Sequence, residues 1–204
     1  LNDKNLNENT IVIYTSDQGF YLGEHGWFDK RWMYEPSFRM PFIIKYPNKI
    51  KSKSINNELI VNIDFAPTIL DLAGIKPPKD MQGESFKKQL FNKKYPKRDA
   101  VYYHYYEYPF WHKVQPHYGI RTNRFKLIHY YYNMDEWELF DLNIDKDELN
   151  NLYGKDGYDN IINDLKEKLK MLQVKYNDDM SLEEMRKMTD TRIKRVYTEM
   201  NNKN

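Results

Sequence analysis

The segment from Ile11 to Lys30 brings together the side chains of this chain that are best suited to chemistry. Asp17 and Gln18 offer a carboxylate and an amide oxygen, and His25 and Lys30 add an imidazole and a cation. Hard oxygen donors suit a hard divalent cation, and an ammonium group suits an anionic substrate. The residues therefore indicate a site for a metal and an anion, and they also fit a polar turn after a core strand.

A short strand is predicted to position these side chains. The run from Ile11 to Tyr14 is apolar and β-branched, which is typical of a buried strand. Asp17 and Gln18 follow at its carboxyl end, where Gly19 allows the backbone to turn. In α/β sheets, ligands and metals collect at that edge.

Composition limits the class of protein. The 204 residues include 32 basic and 30 acidic ones, and the net charge of +2 gives no indication of nucleic-acid binding. Because the chain has no cysteine, it has no disulfide framework, thiolate zinc site or cysteine nucleophile. Its apolar runs are shorter than the ~20 residues that a membrane span requires. The sequence begins at Leu1, without an initiator methionine and in a polar stretch, so we expect further sequence upstream, where a signal peptide would lie.

The chain is predicted to divide near residues 92–97. Up to there, strand-like and helix-like runs alternate, which favours an α/β layer with a largely parallel sheet. Beyond Arg98, aromatic and β-branched runs follow one another and favour an antiparallel meander. We therefore expect three units, at residues 1–95, 96–178 and 179–204.

Periodicity and capping residues place the individual elements. Strands are predicted at Ile11–Tyr14, Pro41–Pro47, Ala100–Tyr108, Tyr118–Tyr132 and Glu138–Leu142. Helices are predicted from Asp64 through Leu72, from Tyr158 to Tyr176, and from Ser181 to about Met200. Gly74 is expected to end the first helix, and the spacing of Ser181 and Glu184 forms a capping box at the start of the last.

The same residues carry a resemblance to a known family. The run Thr15–Lys30 resembles the second metal-and-sulfate motif of type I sulfatases, which belong to the alkaline phosphatase superfamily. Further segments resemble the family in the same order, namely Arg39–Pro47, Asp64–Gly74, Gly83–Ser85, Tyr118–Thr122 with Phe125–Ile128, Trp137–Leu142 and Glu148–Leu152. The resemblance spans roughly residues 9–176. Within the family, the sequence most resembles bacterial N-acetylglucosamine-6-sulfatases and other glycosaminoglycan sulfatases.

The resemblance implies a fold and a calcium-dependent sulfate site. The fold is the carboxyl-terminal part of an alkaline-phosphatase-like α/β domain, followed by a small α+β subdomain with an antiparallel sheet and carboxyl-terminal helices. Asp17 and Gln18 match positions of the calcium site, although Asn or His is more usual than Gln18. Lys30 matches the lysine that holds the sulfate. His25 either donates a proton near the ester oxygen or braces the loop through its ring nitrogens.

The resemblance also implies that this chain holds part of an active site. Sulfatases of this type use a formylglycine nucleophile, made from a Cys or Ser in a short motif, and an earlier pair of aspartates for calcium. This sequence has neither feature, so we expect both in the upstream remainder of the parent chain. We further expect the parent to be periplasmic or secreted, as similar bacterial enzymes are.

The second segment contains candidates for contact with a sulfated saccharide. His112, His117 and Arg121 lie among aromatic residues, and rings beside hydrogen-bonding groups suit a sugar. Aromatic residues in strands also fit cross-strand pairs in a core. Two alternative functions stay open at this point: hydrolysis of a phosphate or phosphonate ester, and a non-catalytic carbohydrate-binding module.

Overall fold

A computed structural model describes residues 1–91, 98–110 and 113–201. His112 and the boundary expected near residues 92–97 lie outside the described residues, and the division into three units stays a prediction. In the described parts of the chain, no helix is both long and apolar enough to cross a membrane.

The described ranges contain short elements before residue 92 and longer ones after residue 98. The strands are β1 (Val12–Thr15), β2 (Tyr21–Leu22), β3 (Phe28–Asp29), β4 (Phe42–Lys45), β5 (Ala100–Tyr105), β6 (His117–Thr122), β7 (Phe125–Tyr130) and β8 (Glu136–Asp141). The helices are α1 (Glu35–Phe38), α2 (Phe65–Leu72), α3 (Lys87–Phe91), α4 (Asp159–Lys175) and α5 (Leu182–Asn201). The predicted helices are confirmed, and the predicted strand over residues 118–132 is two strands.

β5 to β8 form one antiparallel sheet. The strand order is β5-β6-β7-β8, so each strand lies beside its neighbour in sequence, which confirms the predicted meander. Ile120 pairs with Leu127, and Leu127 pairs with Leu139. Since side chains alternate along a strand, these residues point to one face of the sheet and the residues between them to the other.

α4 and α5 cover the first face. Ile162, Leu165 and Leu169 of α4 are buried against it, at a spacing that places them on one side of the helix. α5 begins at the predicted capping box, in which the Ser181 N–H donates to the Glu184 carboxylate at 2.7 Å and the Glu184 N–H donates to Ser181 Oγ at 3.3 Å. The apolar side chains hold the helices on the sheet, and the capping box fixes the start of α5.

The segment after β1 covers the second face of the sheet. Tyr21, Met33 and Tyr34 are buried there against side chains of β7 and β8. Gly119 of β6 makes the approach possible, because a Cβ atom at this position would lie 2.6 Å from the sulfur of Met33. The segment from Tyr21 to Tyr34, which contains His25 and Lys30, is thus packed directly on the carboxyl-terminal sheet.

β1 and β4 pair antiparallel, in a register that runs from Val12 with Lys45 to Thr15 with Phe42. The largely parallel sheet expected for residues 1–95 is therefore corrected, since every described strand pair is antiparallel. Alternating apolar runs predict a parallel sheet when a helix crosses between the strands. Here the chain between β1 and β4 instead forms the β2–β3 hairpin and the short α1, and returns in the opposite direction.

A buried ion network joins this segment to the sheet. The Nζ atom of Lys126 has no exposed surface and lies 3.0 Å from Glu35 and 2.6 Å from Glu148. Arg121 also pairs with Glu35, at 3.3 Å. Burial would raise the pKa of Glu35, but Lys126 and Arg121 outweigh it and hold that pKa below its usual value. Burial keeps the pKa of Glu148 above its usual value in spite of Lys126.

The fold should depend strongly on Lys126. Replacing Lys126 with Met would leave two carboxylates buried without their cation, and should lower the free energy of unfolding by about 3–5 kcal/mol. Urea denaturation of the polypeptide at neutral pH measures this loss. Lys168→Met is the matched control, because Lys168 pairs with Asp99 on the surface and should contribute less than about 1 kcal/mol. A loss for Lys126→Met no larger than that of the control would contradict this account.

Candidate functional site

The carboxyl end of β1 presents Asp17 and Gln18, as the sequence predicts. Asn62 donates a hydrogen bond to the Asp17 carbonyl at 3.0 Å, and the Ser16 hydroxyl donates to the Gln18 carbonyl at 2.9 Å. These bonds fix the backbone, while the Asp17 side chain stays 77% exposed. Asp17 and Asn62 also line an open concavity at this end of β1.

The structure brings Lys30 to Asp17. The Nζ atom of Lys30 lies 3.1 Å from the Asp17 carboxylate. The hydrogen bond and the charge of Lys30 hold the pKa of Asp17 below its usual value. A carboxylate that can coordinate a cation and an ammonium group that can bind an anion are therefore side by side.

A close approach of two backbone segments fixes the turn that carries Gln18. The amide nitrogen of Gln18 donates to the Ser37 hydroxyl at 3.0 Å, and the Gly19 N–H donates to the Ser37 carbonyl at 2.8 Å. A Cβ atom on Gly19 would lie 2.1 Å from the Pro36 carbonyl oxygen, so no other residue type fits here without a backbone shift. The turn is therefore locked against the start of α1.

The residue after Lys30 is held from several directions. The Arg31 N–H donates to the Ser37 hydroxyl at 3.2 Å, and the Tyr103 hydroxyl donates to the Arg31 carbonyl at 2.7 Å. The Arg31 guanidinium pairs with Asp29, and it lies 3.8 Å from Glu107. The backbone beside Lys30 is thus anchored to both α1 and β5.

Ring stacking holds the His25 side chain in place. Its ring stacks on that of Tyr34 with centroids 4.7 Å apart and 16° between the planes. It lies in a turn where its own φ is 55°, a left-handed conformation that is uncommon for a residue with a side chain. Stacking therefore braces the loop, and proton donation by His25 stays a prediction.

The candidates for saccharide contact are a buried His117, a partly buried Arg121 and His112, which lies outside the described residues. His117 is fully buried, stacks between the rings of Trp32 and Tyr105, and donates from Nδ1 to the Gln115 carbonyl at 2.7 Å. Arg121 is paired with Glu35 in the ion network. These positions do not support the predicted contacts of His117 and Arg121 with a sugar, because His117 is fully buried and Arg121 is paired with Glu35.

The donor set fits calcium in chemistry and is incomplete in number. Asp17 provides carboxylate oxygens, and Gln18 provides its amide oxygen, since the amide nitrogen is bonded to Ser37. Ca²⁺ takes six to eight oxygen ligands. Within residues 1–91, 98–110 and 113–201, no group of three or more acidic or histidine side chains is placed to hold a metal ion. Asp17 and Gln18 could therefore hold calcium only together with further ligands.

Three residues that help to build the site are not predicted from the sequence. Asn62, Ser37 and Tyr103 bond to Asp17, Gln18 and Arg31 across separations of 19 to 72 residues. Such contacts leave no local periodicity or spacing in a single sequence. Ser37 lies near Gly19 only because the fold brings α1 against the turn.

Known proteins match most of this chain. A family profile described as N-sulphoglucosamine sulphohydrolase, C-terminal, matches residues 23–175. The chain is 54% identical over 174 residues to an N-acetylglucosamine-6-O-sulfatase of Bacteroides thetaiotaomicron, which covers 84% of this chain and 31% of that protein. Over all the relatives described here, the chain spans about a third of their length.

Solved structures share the fold. A protein in complex with its substrate D-glucosamine-2-N,6-O-disulfate matches with a TM-score of 0.85 and 50% identity, over 90% of this chain and 38% of that one. A phosphonate monoester hydrolase of Agrobacterium radiobacter matches with a TM-score of 0.72 and 22% identity, over 85% of this chain and 37% of that one. The second match shows a shared fold alone.

The burial of His117 should make stability depend on pH. Burial lowers the pKa of His117 to about 4 in the folded chain, whereas an unfolded histidine has a pKa of about 6.5. Unfolding therefore takes up a proton between these values, and stability should fall as the pH drops from about 6.5 to about 4. Urea midpoints measured across this range should vary less with pH in His117→Phe than in the wild type.

Tyr105→Phe is the control for this measurement. Tyr105 packs against His117, but its hydroxyl does not titrate between pH 4 and 6.5, because burial raises its pKa to about 12. This variant should keep the wild-type dependence on pH. An equally steep dependence in His117→Phe would show that other groups account for it.

Proposed function

The chain belongs to the sulfatase family whose carboxyl-terminal domain is described as that of N-sulphoglucosamine sulphohydrolase, and we propose that it is the carboxyl-terminal part of a calcium-dependent enzyme that hydrolyses a sulfate ester on a glucosamine-containing glycan. The observation that carries the proposal is the 3.1 Å contact between Lys30 and Asp17. It supports a metal ligand and a sulfate-binding cation at one point of the surface.

Asp17 and Gln18 are the proposed calcium ligands. Calcium, when bound, would supply positive charge that polarises the sulfate group and attracts its oxygens. Asp17 would contribute its exposed carboxylate, and Gln18 its amide oxygen. The backbone bonds from Asn62 and Ser16 hold both residues in place before any ligand arrives, so little order has to be gained on binding.

Lys30 is the proposed sulfate-binding residue. Its ammonium group would donate hydrogen bonds to sulfate oxygens and would offset the negative charge that develops on the leaving oxygen. The anchoring of Arg31 to Ser37 and Tyr103 limits how far the Lys30 backbone can move. His25, in the same loop, is the proposed proton donor to the leaving sugar oxygen.

The attacking group is proposed to lie elsewhere in the parent protein. The formylglycine and the remaining calcium aspartates would come from the two thirds of the relatives' length that this chain does not span. Groups that bind the substrate without an attacking group give binding and no turnover. We further propose that the parent is periplasmic or secreted.

The glucosamine substrate is proposed from two similar proteins, one by its name and the other by the substrate in its complex. The relative at 54% identity is named for N-acetylglucosamine 6-O-sulfate, and the structure at 50% identity holds D-glucosamine-2-N,6-O-disulfate. The phosphonate monoester hydrolase is 22% identical, which gives no comparable support for that chemistry. A sulfate ester is therefore the better-supported substrate.

The full-length parent should release sulfate from 6-O-sulfated glucosamine or N-acetylglucosamine, and the 204-residue chain alone should not. In the parent, Lys30→Ala should lower kcat/KM by about 10²–10³-fold, as is typical when one group that stabilises developing charge is lost. Sulfate release measured by ion chromatography gives kcat and KM. Lys79→Ala, at an exposed lysine of a loop, is the control and should retain full activity.

Two results would contradict the proposed function. One is turnover by the isolated chain at the rate of the parent. The other is a Lys30→Ala parent with unchanged kcat/KM. Faster hydrolysis of the corresponding phosphate ester than of the sulfate ester would favour the alternative chemistry instead.

A further inference from the structure

We propose that Ser37 is a positioning residue that holds the side-chain amide of Gln18, with the amide nitrogen at Ser37 and the amide oxygen available to calcium. The inference deepens the proposed function and rests on it, because it concerns a proposed calcium ligand. Ser37 lies in α1 and has no exposed surface. A buried hydroxyl with defined partners can impose an orientation that an exposed one, shared with water, does not.

The Ser37 hydroxyl oxygen accepts two hydrogen bonds. One comes from the Gln18 amide nitrogen at 3.0 Å and the other from the Arg31 N–H at 3.2 Å. A hydroxyl oxygen has two acceptor sites, so both are used. The same oxygen atom therefore holds a proposed metal ligand and the backbone beside the proposed sulfate-binding Lys30.

In the structure, the nitrogen is the end of the Gln18 amide that is bonded to Ser37. The terminal torsion of a glutamine is broad and nearly two-fold, so an unrestrained amide presents its oxygen or its nitrogen with similar ease. The nitrogen donates only and cannot coordinate a cation. With the nitrogen committed to Ser37, the oxygen is the end left for calcium.

Ser37 also compensates for the length of Gln18. A glutamine has one more rotatable bond than the asparagine that is more usual at this position, and ordering it costs entropy. The Ser37 carbonyl accepts the Gly19 N–H at 2.8 Å, so one residue restrains both the side chain and the turn that carries it. Ser37 is in turn fixed by α1, where the Lys126 network holds Glu35.

The test is calcium binding by the full-length parent, titrated by calorimetry or by terbium luminescence. Ser37→Ala should weaken calcium binding about tenfold, because it leaves a buried amide N–H without an acceptor. Gln18→Ala should also weaken binding. In the Gln18→Ala background, Ser37→Ala should cause a much smaller loss, since the part of its effect that passes through the Gln18 side chain is already gone.

Two variants separate positioning from general stability. Thr68→Val removes another buried hydroxyl, which accepts the Phe86 N–H at 3.0 Å in α2. It should lower the Tm and leave the calcium Kd unchanged. Ser37→Thr keeps the hydroxyl and should restore most of the calcium affinity lost in Ser37→Ala. If Ser37→Ala does not fold, Ser37→Cys provides the same comparison, because sulfur is a weaker acceptor.

The outcomes are distinguishable. Unchanged calcium affinity in Ser37→Ala, or an equal loss with and without the Gln18 side chain, would overturn the role of Ser37 and leave the proposed function standing. A wild-type parent that binds no calcium, or one in which Gln18→Ala has no effect on calcium binding, would overturn the proposed metal site and this inference with it.

Discussion

A buried ammonium group determines how the segment with the candidate site sits on the carboxyl-terminal sheet. Lys126 of β7 is inside the fold and therefore needs carboxylates beside it, which Glu35 and Glu148 provide. An unpaired buried charge costs more than the pair contributes, so Glu35 cannot move away without a large loss. Glu35 begins α1, and α1 carries Ser37, whose hydroxyl reaches Gln18. The position of Gln18, a proposed metal ligand, thus depends on Lys126 and Glu148 in the carboxyl-terminal part of the chain.

The aromatic residues of the carboxyl-terminal segment serve mainly as packing surface. One face of the sheet is covered by α4 and α5, and the other by the segment around Met33. His117 belongs to the second face and stacks with Trp32, so its ring joins the sheet to the site loop. Tyr103 makes the same connection with a hydrogen bond to Arg31. The sheet therefore acts on the candidate site through the loop, by fixing its backbone.

The sequence predicted what depends on neighbours along the chain and missed what depends on distant contacts. The capping box at Ser181 and the helix predicted from Tyr158 to Tyr176 depend on local sequence, and both were confirmed. The direction of β4 depends on how residues 16–41 fold back, which the apolar runs do not encode. His117 was interpreted from its residue type alone, and residue type does not reveal burial. Family resemblance selected Asp17 and Lys30, which the structure places in contact.

The Asp17–Lys30 pair itself contributes little to stability. Both side chains are partly or largely exposed, and water screens the attraction between exposed charges. The interactions that fix their geometry lie one residue away, in the buried bonds of Gln18 and Arg31 to Ser37. An exposed charged pair on a backbone that is fixed by other bonds suits a binding site. Charged groups that are held by their neighbours, and not by each other, can exchange partners with a metal and an anion while the backbone beneath them stays in place.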